Sequence, residues 1–249
     1  LASEAGLSTV ALTDHDTFAG LDEACSAAEE LGIGFIPGVE LSVDHDGSKM
    51  HMLVYFVDNR HRELAKRLSE LRQGRNERNV LIVEKLNEMA YEITLDDVQA
   101  HALGPSVGRP HIADALVEKG YFVSRDAAFA DLLHDGGPGY ASRPRLSATE
   151  AITLGREVGG VSVIAHPATI AGTADRYDDV FRELTDVGLG GIEAYHSMHS
   201  PDLRRHLARV AASLGIAATG GSDYHGADKR DYHIGVGTGD LRVPESAVD

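Results

Sequence analysis

Apolar and polar positions change period twice along this chain, and the changes divide it into three stretches. In the first, residues 9–12 and 35–39 are short apolar runs of strand length, and a third such run covers 50–57 after the polar turn "DHDG" at 44–47. Between the first two, apolar or small residues at Leu21, Ala24, Cys25, Ala28 and Leu31 recur at helical spacing. In the last stretch, runs at 161–165, 191–195 and 216–219 alternate with helical patterns at 178–187 and 201–214. Strands alternating with helices predict an α/β architecture with a parallel sheet or barrel.

The middle stretch, residues 62–147, has little strand signal. "LAKRLSELRQGRNERNVLIVEKLNEM" is one long helical pattern with charge pairs at helical spacing, followed by "TLDDVQAHAL" opened by Thr94 and "RPHIADALVEKG" stopped by Gly120. The predicted domains are a barrel-type unit of residues 1–61 and 148–249 and an inserted helical cap subdomain of residues 62–147. "LASEAGLSTVALTDHD" reads as beginning in mid-helix, so the expectation is that a strand and loop of the natural protein precede Leu1.

Composition narrows the function classes. The chain has 249 residues, 43% of them hydrophobic and 25% charged, enough for a substantial core. A formal charge of −16 disfavours a broad basic surface for duplex nucleic acid but leaves room for a small phosphorylated ligand in a local pocket. No apolar run reaches the length of a membrane span, and the one cysteine, Cys25, excludes an internal disulfide; the expected location is the cytoplasm. Thirteen histidines beside no tryptophan is the unusual feature, which makes their positions informative.

Those positions follow the predicted strand ends. Asp14 and His15 come after the first strand, and Glu40 after the second. His51 opens the third strand and His166 closes the fourth. His196 and His199 follow the fifth, and Ser222, Asp223 and His225 follow the last. In parallel α/β folds the carboxyl ends of strands share one face, so these residues converge in space. Ser222 lacks the G-x-S-x-G context of an activated serine, and no Walker-type phosphate loop is present. What remains is a set of imidazoles and carboxylates suited to Zn, Mn or Fe, and with it metal-assisted hydrolysis. Several of these residues also have plainer readings: His51 as a core histidine, His45 as a solvated turn residue, Asp16 as a helix cap. For Asp223 and His225, alternate positions on an extended segment place both side chains on one side, which favours metal binding.

The blocks "TDHDTFAG" (13–20), "PGVELS" (37–42), "HMLVYF" (51–56), "GRPHIA" (108–113), "VIAHP" (163–167), "GIEAYHSMHSP" (191–201) and "GGSDYHG" (220–226) together resemble the PHP family, named for polymerase and histidinol phosphatase, and most closely its nucleotide phosphatase and short-RNA exonuclease branch. The resemblance implies a distorted seven-stranded (β/α) barrel, two or three divalent metal ions (Mn, Fe or Zn) at the strand ends, and an inserted helical domain over the site. By position it makes His15, Glu40, His51, His166, Asp223 and His225 metal ligands, with Glu40 the bridging carboxylate. It makes His199 and Asp14 catalytic candidates, and Arg109, His111, Arg143 and His199 contacts to substrate phosphate. The family's opening H-x-H strand and its nearby Asp are absent from this chain, so the first strand and two ligands of the first metal are expected to be missing. The activity implied is phosphoester hydrolysis by a metal-bridging hydroxide, on a mononucleotide, a nucleoside 3',5'-bisphosphate or the 5' end of short single-stranded RNA. Alternatives are a histidinol-phosphate-type phosphatase, an amidohydrolase or deaminase on a similar barrel, and a non-catalytic nucleotide-binding or polymerase-associated module.

Overall fold

A computed structural model of the chain describes residues 1–102, 104–170, 174–226 and 232–248, with the side chains of 174–176 excepted. It divides into two compact units, Leu1–Leu64 with Leu146–Asp249, and Ala65–Arg145.

The first unit is built on β1 (Thr9–Leu12), α1 (Leu21–Leu31), β2 (Gly34–His45) and β3 (Ser48–Tyr55), then, beyond the insertion, β4 (Leu146–Ser147), α6 (Ala148–Glu157), β5 (Val161–Ala165), α7 (Ala174–Val187), β6 (Gly191–His196), α8 (Pro201–Leu214) and β7 (Ala217–Gly221). The strands form one sheet in the order β1-β2-β3-β5-β6-β7, with the two-residue β4 also on β2. Among the described residues it is an open, curled sheet: β1 pairs only with β2, and β7 only with β6. This curled half-barrel agrees with the expected α/β fold class. The pairing is not uniformly parallel. β3 runs antiparallel to both β2 and β5, because a two-residue loop joins it to β2. Asp46 and Gly47 in that loop both have positive φ (49° and 79°), and Gly47 N–H donates to Asp44 Oδ1 at 2.9 Å. An Asp-Gly pair with both residues left-handed is the turn whose twist suits a tight hairpin.

β2 is longer than its apolar run predicts and changes neighbours along its length. Gly34–Pro37 pair with β1, and Gly38–His45 pair with β3. Its alternation sorts the two faces. Val39, Leu41 and Val43 are fully buried on the side that α6 covers, which leaves Glu40 and Ser42 on the opposite side. α6 approaches the sheet closely through Gly155, where a Cβ would meet Ser162 Oγ and stand 3.2 Å from Val54 Cγ1. α7 and α8 bury Phe181, Leu184, Leu207 and Ala211.

The second unit contains most of α2 (Arg62–Glu88), with α3 (Leu95–Gln99), α4 (Arg109–Glu118) and α5 (Arg125–Ala128). It has its own core, in which Ile82, Leu86, Ile112, Leu116 and Leu133 are fully buried. Arg125 grips Asp114 through two parallel hydrogen bonds, of 2.7 and 2.6 Å. α3 opens on a capping box: Thr94 Oγ1 accepts Asp97 N–H at 3.1 Å and Asp97 Oδ2 accepts Thr94 N–H at 2.7 Å. Thr94→Ala is expected to cost about 1 kcal/mol, read as a lower midpoint in urea unfolding with an unchanged slope. No described helix is long and apolar enough to cross a membrane.

Candidate metal centre

The site forms where β2 changes neighbours. Past β1 the chain keeps running beside β2: Glu40 N–H donates to Asp14 O at 3.2 Å, Asp16 N–H donates to Glu40 O at 3.0 Å, and His15 is bridged to Glu40. His15 is therefore set beside Glu40 by main-chain pairing. Asp16 is not a helix cap. It is fully buried at φ 54°, and α1 begins only at Leu21 with Gly20 (φ 89°) as its N-cap. Asp tolerates this left-handed backbone, which turns the loop before the helix starts. Glu40 itself lies inside β2 and not after it, because Gly38–His45 continue the ladder with β3.

The antiparallel course of β3 explains how a residue near the start of a strand reaches a face built from strand ends. His51 stands opposite Ser42 on one side and opposite Ala165 on the other, next to His166. On the same face, Leu53, Val163 and Ala165 form a small apolar floor.

Glu40 is buried, and three imidazoles meet its carboxylate. His51 Nδ1 is 2.8 Å and His166 Nε2 3.1 Å from Oε1, and His15 Nδ1 is 3.6 Å from Oε2. Burial alone would raise the Glu40 pKa, but the charges of His15 and His51 and the hydrogen bonds from His166 and His51 hold it well below the usual carboxylate range. Burial likewise depresses His166, but its hydrogen bond to Glu40 and that group's charge push it up to about 9. His51 Nδ1 and His166 Nε2 lie 3.2 Å apart and are aimed at the same oxygen. Two imidazole nitrogens and a carboxylate so arranged are a donor set that suits a divalent cation of nitrogen and oxygen preference. His15, Glu40 and His51 each offer a ligand atom within 4.8 Å of the others.

The other predicted residues fall into three groups. Asp14, Asp223 and His225 belong to the same neighbourhood. Burial raises the Asp14 carboxyl, His225 lowers it and Glu40 raises it, while Asp223 acts on His166. His225 Nδ1 lies 3.4 Å from Asp223 Oδ1. His199 is buried with both ring nitrogens on the main chain: Nδ1 at 3.0 Å from Ala194 O, and Nε2 at 3.4 Å from Ala168 N. With Nδ1 donating, Nε2 is an acceptor, and burial favours this neutral form. Both contacts hold His199 beside the turn after His166. Arg109, His111 and Arg143 lie in the helical unit. Arg109 Nη1 donates to Leu133 O and Asp135 Oδ1, both at 2.8 Å, and its guanidinium lies over the rings of Tyr140 and Phe129. His111 Nδ1 accepts Gly108 N–H at 2.9 Å, and Arg143 is buried.

Sequence reasoning overlooks Glu193. Its buried carboxylate accepts His166 N–H at 2.7 Å and so secures a residue at φ 27°, ψ 60°. Burial raises the Glu193 pKa to about 8. The available signal is a lone acid in the middle of the apolar strand "GIEAYH". His45, read as solvated, is partly buried and lies 3.4 Å from Glu183.

Residues 1–121 match the PHP domain family. The chain is 31% identical over 249 residues to the phosphoribosyl 1,2-cyclic phosphate 1,2-diphosphodiesterase of Eggerthella lenta, an alignment covering 98% of this chain and 90% of the relative. The chain belongs to the PHP family. A second PHP-type relative is the 3',5'-nucleoside bisphosphate phosphatase of Chromobacterium violaceum, 31% identical over 91% of this chain and 80% of its own length. A crystal structure of a protein from Bifidobacterium adolescentis, described as a metal-dependent phosphoesterase, superposes with a TM-score of 0.86 at 33% identity, covering 99% of this chain and 86% of the other. With this PHP membership goes the chain's class, a metal-dependent phosphoesterase.

Proposed function

We propose that the protein removes phosphate from a small nucleotide, with a nucleoside 3',5'-bisphosphate, a mononucleotide or the 5' end of short single-stranded RNA as substrate. The observation that carries this reading is the buried Glu40 carboxylate shared by three imidazoles, in a chain with a nucleoside bisphosphate phosphatase among its relatives. His15, Glu40, His51, His166, Asp223 and His225 are the proposed holders of two or three divalent cations, Mn, Fe or Zn. When bound, such cations supply a water acidic enough to attack near neutral pH and neutralise charge on the phosphoryl oxygens. Glu40, kept ionised, would hold cations together with the histidines around it. Asp14 is the proposed acceptor of the attacking water's proton, because burial raises its carboxyl toward working pH. Arg143, with Arg109 and His111, is proposed to hold substrate phosphate, a task for which the planar guanidinium fork is suited.

The test is phosphate release by the full-length protein loaded with Mn. The panel is adenosine 3',5'-bisphosphate, adenosine 5'-monophosphate, a 5'-phosphorylated RNA trinucleotide and histidinol phosphate. Turnover of a nucleotide substrate at least a hundredfold above histidinol phosphate is expected. Preferred turnover of histidinol phosphate, or nucleotide binding with metals retained and no turnover, would overturn it.

A further inference from the structure

We propose that Thr169 is a positioning residue for the cation centre, its hydroxyl fixing the ring hydrogen of neutral His166 on Nδ1 so that the Nε2 lone pair faces Glu40. This role rests on the reading above, in which His166 holds a cation. His166 follows β5 directly, and Pro167–Thr169 form one 3₁₀ turn after it. That turn folds Thr169 back onto His166. Thr169 N–H donates to His166 O at 3.0 Å, and Thr169 Oγ1 lies 3.0 Å from the same carbonyl oxygen and 3.0 Å from His166 Nδ1. A threonine hydroxyl bonding back to a nearby carbonyl is a common local arrangement. Its second contact, to the imidazole, gives it a chemical consequence.

The hydroxyl has one hydrogen to give and two lone pairs to offer, whereas a carbonyl oxygen can only accept. Two oxygens 3.0 Å apart attract with a hydrogen between them and repel without one, so the hydroxyl hydrogen points at His166 O. Oγ1 then meets Nδ1 with a lone pair, and the hydrogen of that contact belongs to the ring. A neutral imidazole carries one N–H, which leaves Nε2 as the acceptor. Nε2 is the nitrogen on the site side, 3.1 Å from Glu40 Oε1 and 3.2 Å from His51 Nδ1. The Glu40 carboxylate alone favours the opposite tautomer, with the hydrogen on Nε2, and that form has no lone pair there for a cation. Thr169 supplies the opposing preference. A histidine holds a metal through an unprotonated nitrogen, and an acceptor fixed on the other N–H sets which nitrogen that is. Glu193 takes the His166 main-chain N–H at 2.7 Å, so the ring and the backbone of this residue are tied down separately.

Thr169 is exposed, and Thr169→Val keeps its shape without the hydroxyl, so the variant is expected to fold with a metal-free unfolding midpoint close to that of wild type. Affinity for Mn is measured by titration calorimetry on full-length protein stripped with a chelator. In Thr169→Val it is expected to fall at least about tenfold, and in Thr169→Ser, which restores the hydroxyl, to stay within about threefold of wild type. In NMR of Zn-loaded wild type with isotope-labelled histidine, the His166 ring is expected to carry its hydrogen on Nδ1. This spectrum needs no variant, so it decides the point even where a substitution disturbs the turn. A Zn-loaded His166 ring with its hydrogen on Nε2, Mn affinity in Thr169→Val equal to wild type, or Thr169→Ser binding as weakly as Thr169→Val overturns the role of Thr169 and leaves the cation reading intact. Wild type that binds neither Mn nor Zn overturns the cation reading and this role with it.

Discussion

Glu40→Gln is expected to abolish tight metal retention and to slow phosphoester hydrolysis at least about a thousandfold. Glutamine keeps the volume of the side chain and its place opposite Leu53 in the ladder, so the sheet is expected to survive. What it removes is the negative charge that His15, His51 and His166 surround. Bound cations supply several kcal/mol of transition-state charge stabilisation, and losing about 4 kcal/mol of it corresponds to about a thousandfold in rate. Metal analysis after gel filtration and steady-state phosphate release on the same preparation read the two effects together. A Glu40→Gln protein that keeps its metals and works within tenfold of wild type would remove Glu40 from the centre of the site.

Glu193→Gln is expected to make the metal-stripped protein more stable at pH 8 than wild type, by on the order of a few kcal/mol, with the advantage shrinking toward pH 5. Folded Glu193 keeps its proton up to about pH 8, whereas its ordinary value is 4.5. Between those values the folded state holds a proton that the unfolded chain has released. Stability therefore falls as pH rises through this window, by about 1.4 kcal/mol per unit from this group, and levels off above it. Glutamine has no such proton to lose and still offers an oxygen to His166 N–H. His166, raised from 6.5 to about 9, contributes a decline of the same sign; its charge and that of Glu193 act on each other, so the difference between the two proteins reads Glu193 together with its coupling to His166. Urea unfolding at pH 5, 6.5 and 8 measures it; parallel pH profiles for the two proteins would show that Glu193 is already ionised in the fold.

Much of this arrangement was legible in the residues because it follows from local rules. Alternation of strand and helix patterns placed His15 and His166 at strand ends on one face, where each meets the Glu40 carboxylate, and the "DHDG" turn announced the β2–β3 hairpin. Other parts depend on pairing that no local pattern encodes. β2 reads as ending before Glu40 because its later residues are polar on one face, yet β3 pairs it through to His45. His51 reads as an ordinary core histidine until the antiparallel register puts it across from Ala165. Asp16 looked like a cap because caps are where aspartate before a helix is usually found, and only its backbone angle shows otherwise. Arg75 and Arg78 sit in a helical pattern rich in charge pairs, and nothing in that pattern shows that both are buried. His199 follows a strand, and its two main-chain contacts are not legible from that place in the sequence.

The central claim, a cation centre organised on Glu40, is tested most directly by anomalous diffraction from crystals of the full-length protein soaked in Mn. The expected result is an anomalous peak in contact with the Glu40 carboxylate, with His51 and His166 nitrogens among its ligands. Anomalous peaks confined to other parts of the molecule, in a preparation that hydrolyses phosphoesters, would contradict it.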